Sequence, residues 1–122
     1  MTHHEHVTTD HVEYASKDPA ATRRFLEKAL GFHFAVTEAM GGYGMRSDEV
    51  PQGSSTGVRA LGKGESPGTI AYLTVHDLDA SLKAATTEGA RVVLPRTEIP
   101  GMGWHAVVHA PGDLPIGLFQ AK

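Results

Sequence analysis

The sequence predicts an α+β protein built from two βαβββ repeats, and three observations support this class. A strand-like run followed by an amphipathic helix pattern occurs at residues 12–32 and again at residues 70–94. In each copy an aspartate precedes the helix and a glycine follows it, and these residue types favour helix starts and stops. Three further strand-like runs follow each helix. Consecutive strands of this kind favour a mixed, largely antiparallel sheet with its helix on one face.

The composition predicts one soluble globular domain. The chain has 122 residues, of which 40% are apolar and 20% charged, and its net charge is −3. Lysine and arginine do not cluster, so nucleic acid and anionic membranes are poor candidate partners. There is no cysteine, which excludes disulfides and thiolate metal sites. With no apolar run near ~18 residues and no hydrophobic signal region, we expect a cytoplasmic protein.

The first repeat has the clearer local signals. We predict a flexible tail over residues 1–9 and a strand over residues 11–15. Asp18 then suits the N-cap and Pro19 the first turn of a helix over residues 19–30. The spacing of the apolar residues predicts one buried helix face, formed by Ala21, Phe25, Leu26, Ala29 and Leu30. Further strands are predicted at residues 33–40, 43–46 and 56–61, with a turn at 41–44 and loops at 47–55 and 62–68.

The second repeat has the same parts in the same order. The two predicted caps, Asp18 and Asp77, lie 59 positions apart, which indicates two copies of one unit. The predicted elements are a strand at residues 69–75, a helix at 78–88 and strands at 91–96, 104–109 and 115–120. The domain therefore spans residues 10–122, with modules at about 10–62 and 69–122.

Two such units side by side can form a concave surface suited to a small molecule. Side chains alternate along a strand, and the consistently apolar set should face the helix. This rule places His11, Glu13, Gly117 and Phe119 in the concavity. Burial there would raise the pKa of Glu13 and suit it to general-base catalysis. The alternative for Glu13 is a salt bridge with a cation such as Arg59.

The chain resembles the vicinal oxygen chelate superfamily, which includes glyoxalase I, bleomycin-resistance proteins and extradiol dioxygenases. The resemblance covers residues 11–120. It is carried by the repeated βαβββ pattern and by two segments, HVEYASKDPAATRRFLEKALGF near the start and RTEIPGMGWHAVVHAPGDLPIGLFQ near the end. It implies the glyoxalase/bleomycin-resistance fold and pairing as a homodimer. Because this fold hosts many functions, the resemblance does not choose among activities.

Enzymes of this superfamily hold a divalent metal with one side chain from each of four strands, and this chain keeps one of the four. His11 matches the first position. The strand-four ligand has only Thr56 and Arg59 as candidates, and Ile70 and Gly117 stand at the third and fourth positions. One imidazole with water cannot hold such an ion at useful affinity. We therefore expect no metal cofactor of the family type.

Two function classes remain open from the sequence, beside the possibility that the fold serves only as a dimerisation module. The first is a metal-independent protein that binds a small apolar or aromatic molecule. The second is a metal-dependent lyase, isomerase or dioxygenase, lactoylglutathione-lyase-like, with a rearranged divalent-metal site using His11, His105 or His109. The last two lie on one strand face, although two half-exposed strand histidines are the simpler reading. The predicted ligand contacts are His11, Tyr43, Ile70, Tyr72, Trp104, Gly117 and Phe119, with Glu13 as the candidate catalytic group.

Overall fold

A computed structural model describes residues 6–50 and 55–122. Eight strands, two α-helices and one short 3₁₀ helix occur in these ranges. In chain order they are β1 (Thr8–Ser16), α1 (Pro19–Leu30), β2 (Phe34–Thr37), the 3₁₀ helix (Glu38–Met40), β3 (Tyr43–Arg46), β4 (Ser55–Ala60), β5 (Gly68–Thr74), α2 (Leu78–Thr87), β6 (Arg91–Ile99), β7 (Gly103–Ala110) and β8 (Leu114–Ala121). The predicted α+β class and the two βαβββ repeats are confirmed.

The chain forms two compact units, and we describe each by itself. The first unit contains residues 11–70, and the second contains residues 71–122 with the start of β1. The first has the strand order β2-β3-β4-β1 and the second β5-β8-β7-β6. In each unit one pair is parallel, β1 with β4 and β5 with β8, and the remaining pairs are antiparallel. Each unit therefore has the mixed sheet that the sequence predicts.

Helix α1 begins and ends where its capping residues predict. The Asp18 carboxylate accepts a hydrogen bond of 3.1 Å from the backbone N–H of Ala21. Gly31 adopts a left-handed conformation with φ 78°, which glycine reaches without the steric cost of a Cβ. Its N–H and that of Phe32 bond to the carbonyls of Glu27 and Leu26. These bonds satisfy carbonyls that the end of a helix leaves without intrahelical partners.

The predicted buried face of α1 is wrong in its orientation. Only Leu26 is buried, whereas Phe25 and Leu30 are 60% and 61% exposed. Two contacts set the observed rotation. The Thr22 hydroxyl lies 2.7 Å from that of Ser16 on β1, and the Arg23 side chain lies over Gly44 on β3. These contacts turn the side of α1 that carries Thr22 and Arg23 toward the sheet. The predicted apolar face is therefore partly exposed to solvent.

The second unit has a well-defined apolar core beneath α2. Its fully buried side chain is Leu78, and Val75, Ala106, Val108 and Leu118 pack with it. The alternation of β8 follows the prediction, because Leu118 and Ile116 pack toward this core. The Asp77 carboxylate caps α2 through the N–H of Ala80. The side-chain carbonyl of Gln120 also accepts a 2.7 Å hydrogen bond from the backbone N–H of Leu78.

Strand boundaries differ most from the predictions at three places. Strand β1 begins at Thr8, so residues 8 and 9 of the predicted tail 1–9 belong to a strand. Residues 1–5 lie outside the described ranges. The predicted strand of residues 33–40 ends early, because residues 38–40 form a 3₁₀ turn. Strand β6 extends to Ile99, and its pairing with β7 contains two register shifts, between Val92 and Leu94 and between Leu94 and Thr97.

Neither α-helix of the described ranges is long and apolar enough to cross a membrane. The predicted loop of residues 47–55 includes residues 51–54, which lie outside the described ranges. Strand β4 begins with Ser55, one residue before its predicted start.

We expect Asp18→Ala to lower the free energy of unfolding by about 1 kcal/mol, because it removes the acceptor that caps α1. Asp77→Ala should cost a similar amount at α2. Lys17→Ala changes an exposed neighbour of the first cap and is the control. Urea denaturation measures all three variants. Equal stabilities of Asp18→Ala and Lys17→Ala would contradict the capping assignment.

Candidate functional site

The face of the first sheet that α1 does not cover carries a group of polar and aromatic side chains. Pairing of β1 with β4 aligns His11 with Ser55 and Glu13 with Gly57. Side chains of paired residues point to the same face, so these positions lie together. The opposite set on β4 includes Val58, which is paired with Gly44, and the Arg23 side chain of α1 lies over Gly44. The predicted orientation of His11 and Glu13 away from the helix is therefore confirmed.

Both ring nitrogens of His11 bond to hydroxyl groups of this face. Its Nδ1 lies 2.7 Å from the Ser55 Oγ, and its Nε2 lies 2.8 Å from the Tyr43 phenol oxygen. The His11 and Tyr43 rings are also stacked, with centroids 6.4 Å apart. A neutral imidazole has one N–H donor and one acceptor nitrogen, and a hydroxyl can complement either. The arrangement suits a neutral His11 held in one orientation.

Burial lowers the pKa of His11 below its usual range, and the charge of Glu13 opposes this shift. The desolvated ring carries its charge less readily than a ring in water. The neutral form is therefore favoured near pH 7. The two hydroxyl contacts are compatible with this form, because each hydroxyl can donate or accept a hydrogen bond.

The Tyr43 ring fits in its position because the residue of β4 beneath it, Gly57, has no side chain. A Cβ on Gly57 would overlap the Tyr43 phenol. Gly57 is buried and Tyr43 is half-buried, so a side chain at position 57 would have to displace the phenol. The glycine therefore sets where the phenol lies and, through the phenol, where the His11 ring is held.

Glu13 takes part in a charged cluster on the same face. Its carboxylate lies 2.9 Å from Arg59 Nε, and the Glu13 side chain is 6% exposed. The two terminal nitrogens of Arg59 bond to Glu65 at 2.6 and 2.8 Å. These hydrogen bonds raise the pKa of Arg59, and the hydrogen bond to Arg59 lowers the pKa of Glu65. The salt-bridge alternative for Glu13 is confirmed, whereas its role as a base stays a prediction.

The second unit repeats the tyrosine–glycine arrangement with different strands. Tyr72 of β5 is paired with Gly117 of β8, and a Cβ on Gly117 would overlap the Tyr72 ring. The Tyr72 ring is stacked with that of His105, with centroids 6.2 Å apart. Phe119 is paired with His105 across β7 and β8, so it shares this face. Tyr72, Gly117 and Phe119 therefore lie on one face. For Gly117 and Phe119 this follows the predicted alternation of β8, and the role of all three as ligand contacts stays a prediction.

Two predicted residues of the second unit have other surroundings. Trp104 alternates with His105 and packs against the core beneath α2, with the Arg96 guanidinium 4.8 Å from its ring centroid. It therefore lies on the opposite face from Gly117. His109 shares the face of His105, and its Nδ1 lies 3.2 Å from Arg91 Nη2 and 3.6 Å from Asp113 Oδ1. Ile70 is buried, at 4% exposure.

The donor groups do not fit the metal centre of the family. Thr56, one candidate for the second ligand, faces the helix side, and Arg59, the other, is a cation engaged with two carboxylates. Gly57 and Gly117 carry no donor side chain. Within residues 6–50 and 55–122, no group of three or more His, Asp or Glu side chains is placed to hold a metal ion. No chemistry is therefore assigned to a metal.

Two residues of this face were missed in the sequence. Ser55 had been included in a predicted loop, and Gly57 had no assigned role. The repeat offered a signal, because Gly57 and Gly117 lie 60 positions apart, close to the 59 positions between Asp18 and Asp77. The contact of Ser55 with His11 depends on the register of β1 and β4, which cannot be predicted from a single sequence.

A shallow groove of about 420 Å³ lies on the helix side of the first unit, between α1 and the start of β5. Its lining is mainly apolar and includes Tyr14, Phe25 and Pro67. Its polar lining groups include the Ser16 and Thr22 hydroxyls, which bond to each other. The groove therefore lacks the converging polar groups of the opposite face.

Comparison with known proteins agrees with this architecture. A sequence model of the Glyoxalase/Bleomycin resistance protein/Dioxygenase superfamily matches residues 8–114. The chain belongs to this superfamily, also called the vicinal oxygen chelate superfamily. A search of curated proteins finds no match.

Solved structures with the same fold have low sequence identity to this chain. Methylmalonyl-CoA epimerase from Mycobacterium tuberculosis is 20% identical, with a TM-score of 0.66 over 93% of this chain and 87% of that one. A hypothetical protein from Bacillus halodurans C-125 is 11% identical, with a TM-score of 0.70 over 97% and 96%. A structure described as an NAD-dependent benzaldehyde dehydrogenase from Legionella pneumophila is 16% identical, with a TM-score of 0.65 over 92% and 98%. At these identities the likeness shows the fold alone.

We expect Gly57→Ala to destabilise the protein by about 1–3 kcal/mol, because the added methyl group overlaps the Tyr43 phenol. The cost should be smaller in a Tyr43→Ala background, where the overlap is absent. Gly68→Ala is the matched control, because a Cβ on this strand glycine meets no atom within 4 Å. Chemical denaturation of the four variants of the cycle measures the coupling. Equal costs in the two backgrounds would show that the two groups do not constrain each other.

We also expect His11 to make stability depend on pH. Its folded-state pKa is lowered, so below the unfolded value of about 6.5 the unfolded chain binds more protons. This contribution to stability is present above that value and declines as the pH falls. His11→Gln should therefore flatten the change in unfolding free energy between about pH 7.5 and pH 5.5. His76→Gln, at an exposed histidine, is the control, and an unaltered pH slope in His11→Gln would refute the assignment.

Proposed function

We propose that this chain is a metal-independent member of the superfamily that binds a small aromatic molecule on the uncovered face of its first unit. The observation that carries the proposal is the state of His11. It is the one family-type ligand that the sequence keeps, and both of its nitrogens already bond to hydroxyl groups. A metal ion would have to displace Ser55 or Tyr43 to reach a lone pair.

The strand positions that carry carboxylates in metal-dependent relatives support the same conclusion. Gly117 stands at the fourth family position, and Gly57 is its counterpart within the repeat. Tyrosine rings lie against both glycines, so the space next to each backbone contains an aromatic ring. Replacing a hard oxygen ligand with an aromatic surface removes affinity for a divalent ion and adds surface on which a planar molecule can stack.

The chemistry of the face indicates what kind of molecule would bind. Tyr43 and His11 present stacked rings, and the Ser55 and Tyr43 hydroxyls can donate or accept hydrogen bonds. Arg59 carries a positive charge next to these groups, although two carboxylates balance it. An aromatic ring with one hydroxyl or amide group matches this set of contacts better than an anion does.

The rival function is a metal-dependent lyase, isomerase or dioxygenase. The methylmalonyl-CoA epimerases among the structural neighbours make this a concrete alternative, but at 20% identity they support only the shared fold. Homodimer formation and a cytoplasmic location, which the sequence and the resemblance imply, stay predictions.

A binding experiment with defined probes tests the proposal. Untagged protein, purified without a metal-affinity column, should contain far less than one divalent ion per chain by elemental analysis. Phenol and benzamide, titrated in the presence of EDTA, should shift backbone NMR signals of β1, β3 and β4. Tyr43→Ala should weaken binding by up to about tenfold, the size of one lost aromatic contact. Phe25→Ala alters an exposed aromatic residue on the helix side and is the matched control.

Four outcomes would contradict the proposal. A stoichiometric metal ion that survives EDTA would favour the enzyme, as would metal-stimulated epimerisation of methylmalonyl-CoA. Probe-induced shifts confined to the groove near Phe25 would move the binding site to the other face. The absence of binding by either probe would remove the proposed ligand class.

A further inference from the structure

The contact between Ser55 and His11 has the form of an activated nucleophile. Ser55 is the first residue of β4 and is exposed, and its Oγ lies 2.7 Å from His11 Nδ1. The register of β1 and β4 places the two residues opposite each other. A strand pairing, rather than a loop conformation, therefore sets the distance between hydroxyl and imidazole.

The other side of the imidazole is held by Tyr43. With Nε2–H donating to the phenol oxygen at 2.8 Å, Nδ1 has its lone pair directed at the Ser55 hydroxyl. A phenol oxygen can accept such a hydrogen bond. The three groups then form a chain from serine through histidine to an orienting third group, the arrangement that activates serine nucleophiles in general.

The surroundings of His11 also suit a proton acceptor. Glu13 lies two residues further along the same strand face and is buried, at 5% exposure. Its negative charge stabilises a positive charge on His11, which forms when the ring takes a proton. The Arg59 guanidinium keeps Glu13 paired. The ring is thus neutral at rest and has a carboxylate nearby when it becomes charged.

We propose that Ser55 is a nucleophile toward activated acyl and phosphonyl esters, with His11 as its general base. The Ser55 Oγ forms a bond to the carbonyl carbon of an acyl ester while its proton passes to His11 Nδ1. The ester C–O bond then breaks, and the leaving alkoxide takes the proton from Nδ1. Water, deprotonated by the same nitrogen, attacks the acyl-serine. The acyl–Oγ bond then breaks and Oγ takes the proton back from Nδ1, which releases the carboxylic acid and restores Ser55. This reaction goes beyond the binding function proposed above and does not depend on the identity of its ligand.

Labelling of the full-length protein with a fluorophosphonate tests the proposal. In this reaction the Ser55 oxygen–phosphorus bond forms, the P–F bond breaks, and fluoride leaves with the serine proton. Intact mass should increase by one phosphonyl group, and peptide mapping should locate it on Ser55. Ser55→Ala should not be labelled, and His11→Gln should be labelled at least about 100-fold more slowly, the usual size of a general-base contribution.

Ser16→Ala is the matched control. The Ser16 hydroxyl bonds to the hydroxyl of Thr22 rather than to an imidazole, so the labelling rate should match that of the unmodified protein. Circular dichroism of each variant tests whether it is folded. If His11→Gln is not folded, an NMR measurement on the unmodified protein tests the role of His11 instead. Long-range proton–nitrogen NMR spectra of the ring should show the proton on Nε2.

The proposal is overturned by any of three results. These are no labelling, labelling of another residue, and an equal rate in folded His11→Gln. A proton on Nδ1 in the unmodified protein would also overturn it, because that nitrogen could not act as a base. Fragment binding that persists when labelling fails would refute the nucleophile and leave the proposed binding function in place.

Discussion

The close approach of a tyrosine ring to a backbone glycine is the constraint on which the site of the first unit depends. Gly57 leaves room for the Tyr43 phenol, and the phenol holds one nitrogen of His11. The second nitrogen then faces Ser55. Any side chain at position 57 would compete for the space of the phenol and release the imidazole. In the second unit Tyr72 approaches Gly117 in the same way, although it comes from β5, which is the counterpart of β1 rather than of β3.

The buried carboxylate of Glu13 adds an electrostatic constraint. A buried carboxylate is costly without a partner, and Arg59 Nε supplies one at 2.9 Å. Arg59 also uses its terminal nitrogens to bond Glu65, which in turn accepts a hydrogen bond from the backbone N–H of Gly62. One guanidinium therefore links the interior of the sheet to the loop that follows β4. The loop geometry and the charge balance of the face are set by the same side chain.

Local signals were sufficient for much of the fold. The bounds of α1 follow from Asp18, Pro19 and Gly31, each of which acts on its immediate neighbours, and the structure has the helix at those residues. The sequence also predicts which side chains of β1 and β8 face the helix, because alternate residues on each of these strands are consistently apolar. The duplication then identified the superfamily, although no single element would have done so.

The sequence alone did not predict contacts between residues that are distant along the chain. The rotation of α1 depends on the Ser16–Thr22 contact and on room above Gly44, and apolar spacing alone gave the wrong stripe. Thr56 looked like a candidate ligand until the β1–β4 register placed it on the helix side. Trp104 looked like a ligand contact because it is aromatic, but alternation along β7 directs it into the core beneath α2. In each case a pairing between strands or elements decided the outcome.

Strand β6 illustrates how an outer strand can avoid unwanted assembly. It lies at the end of the second sheet, and Val92 and Val93 on it are 38% and 48% exposed. A long, straight strand with such side chains would offer its free edge to other chains and seed fibrils. Pro95 lacks an N–H at the middle of this edge, and the two register shifts bend it. The chain can therefore keep valines at its margin without offering a template for cross-β growth.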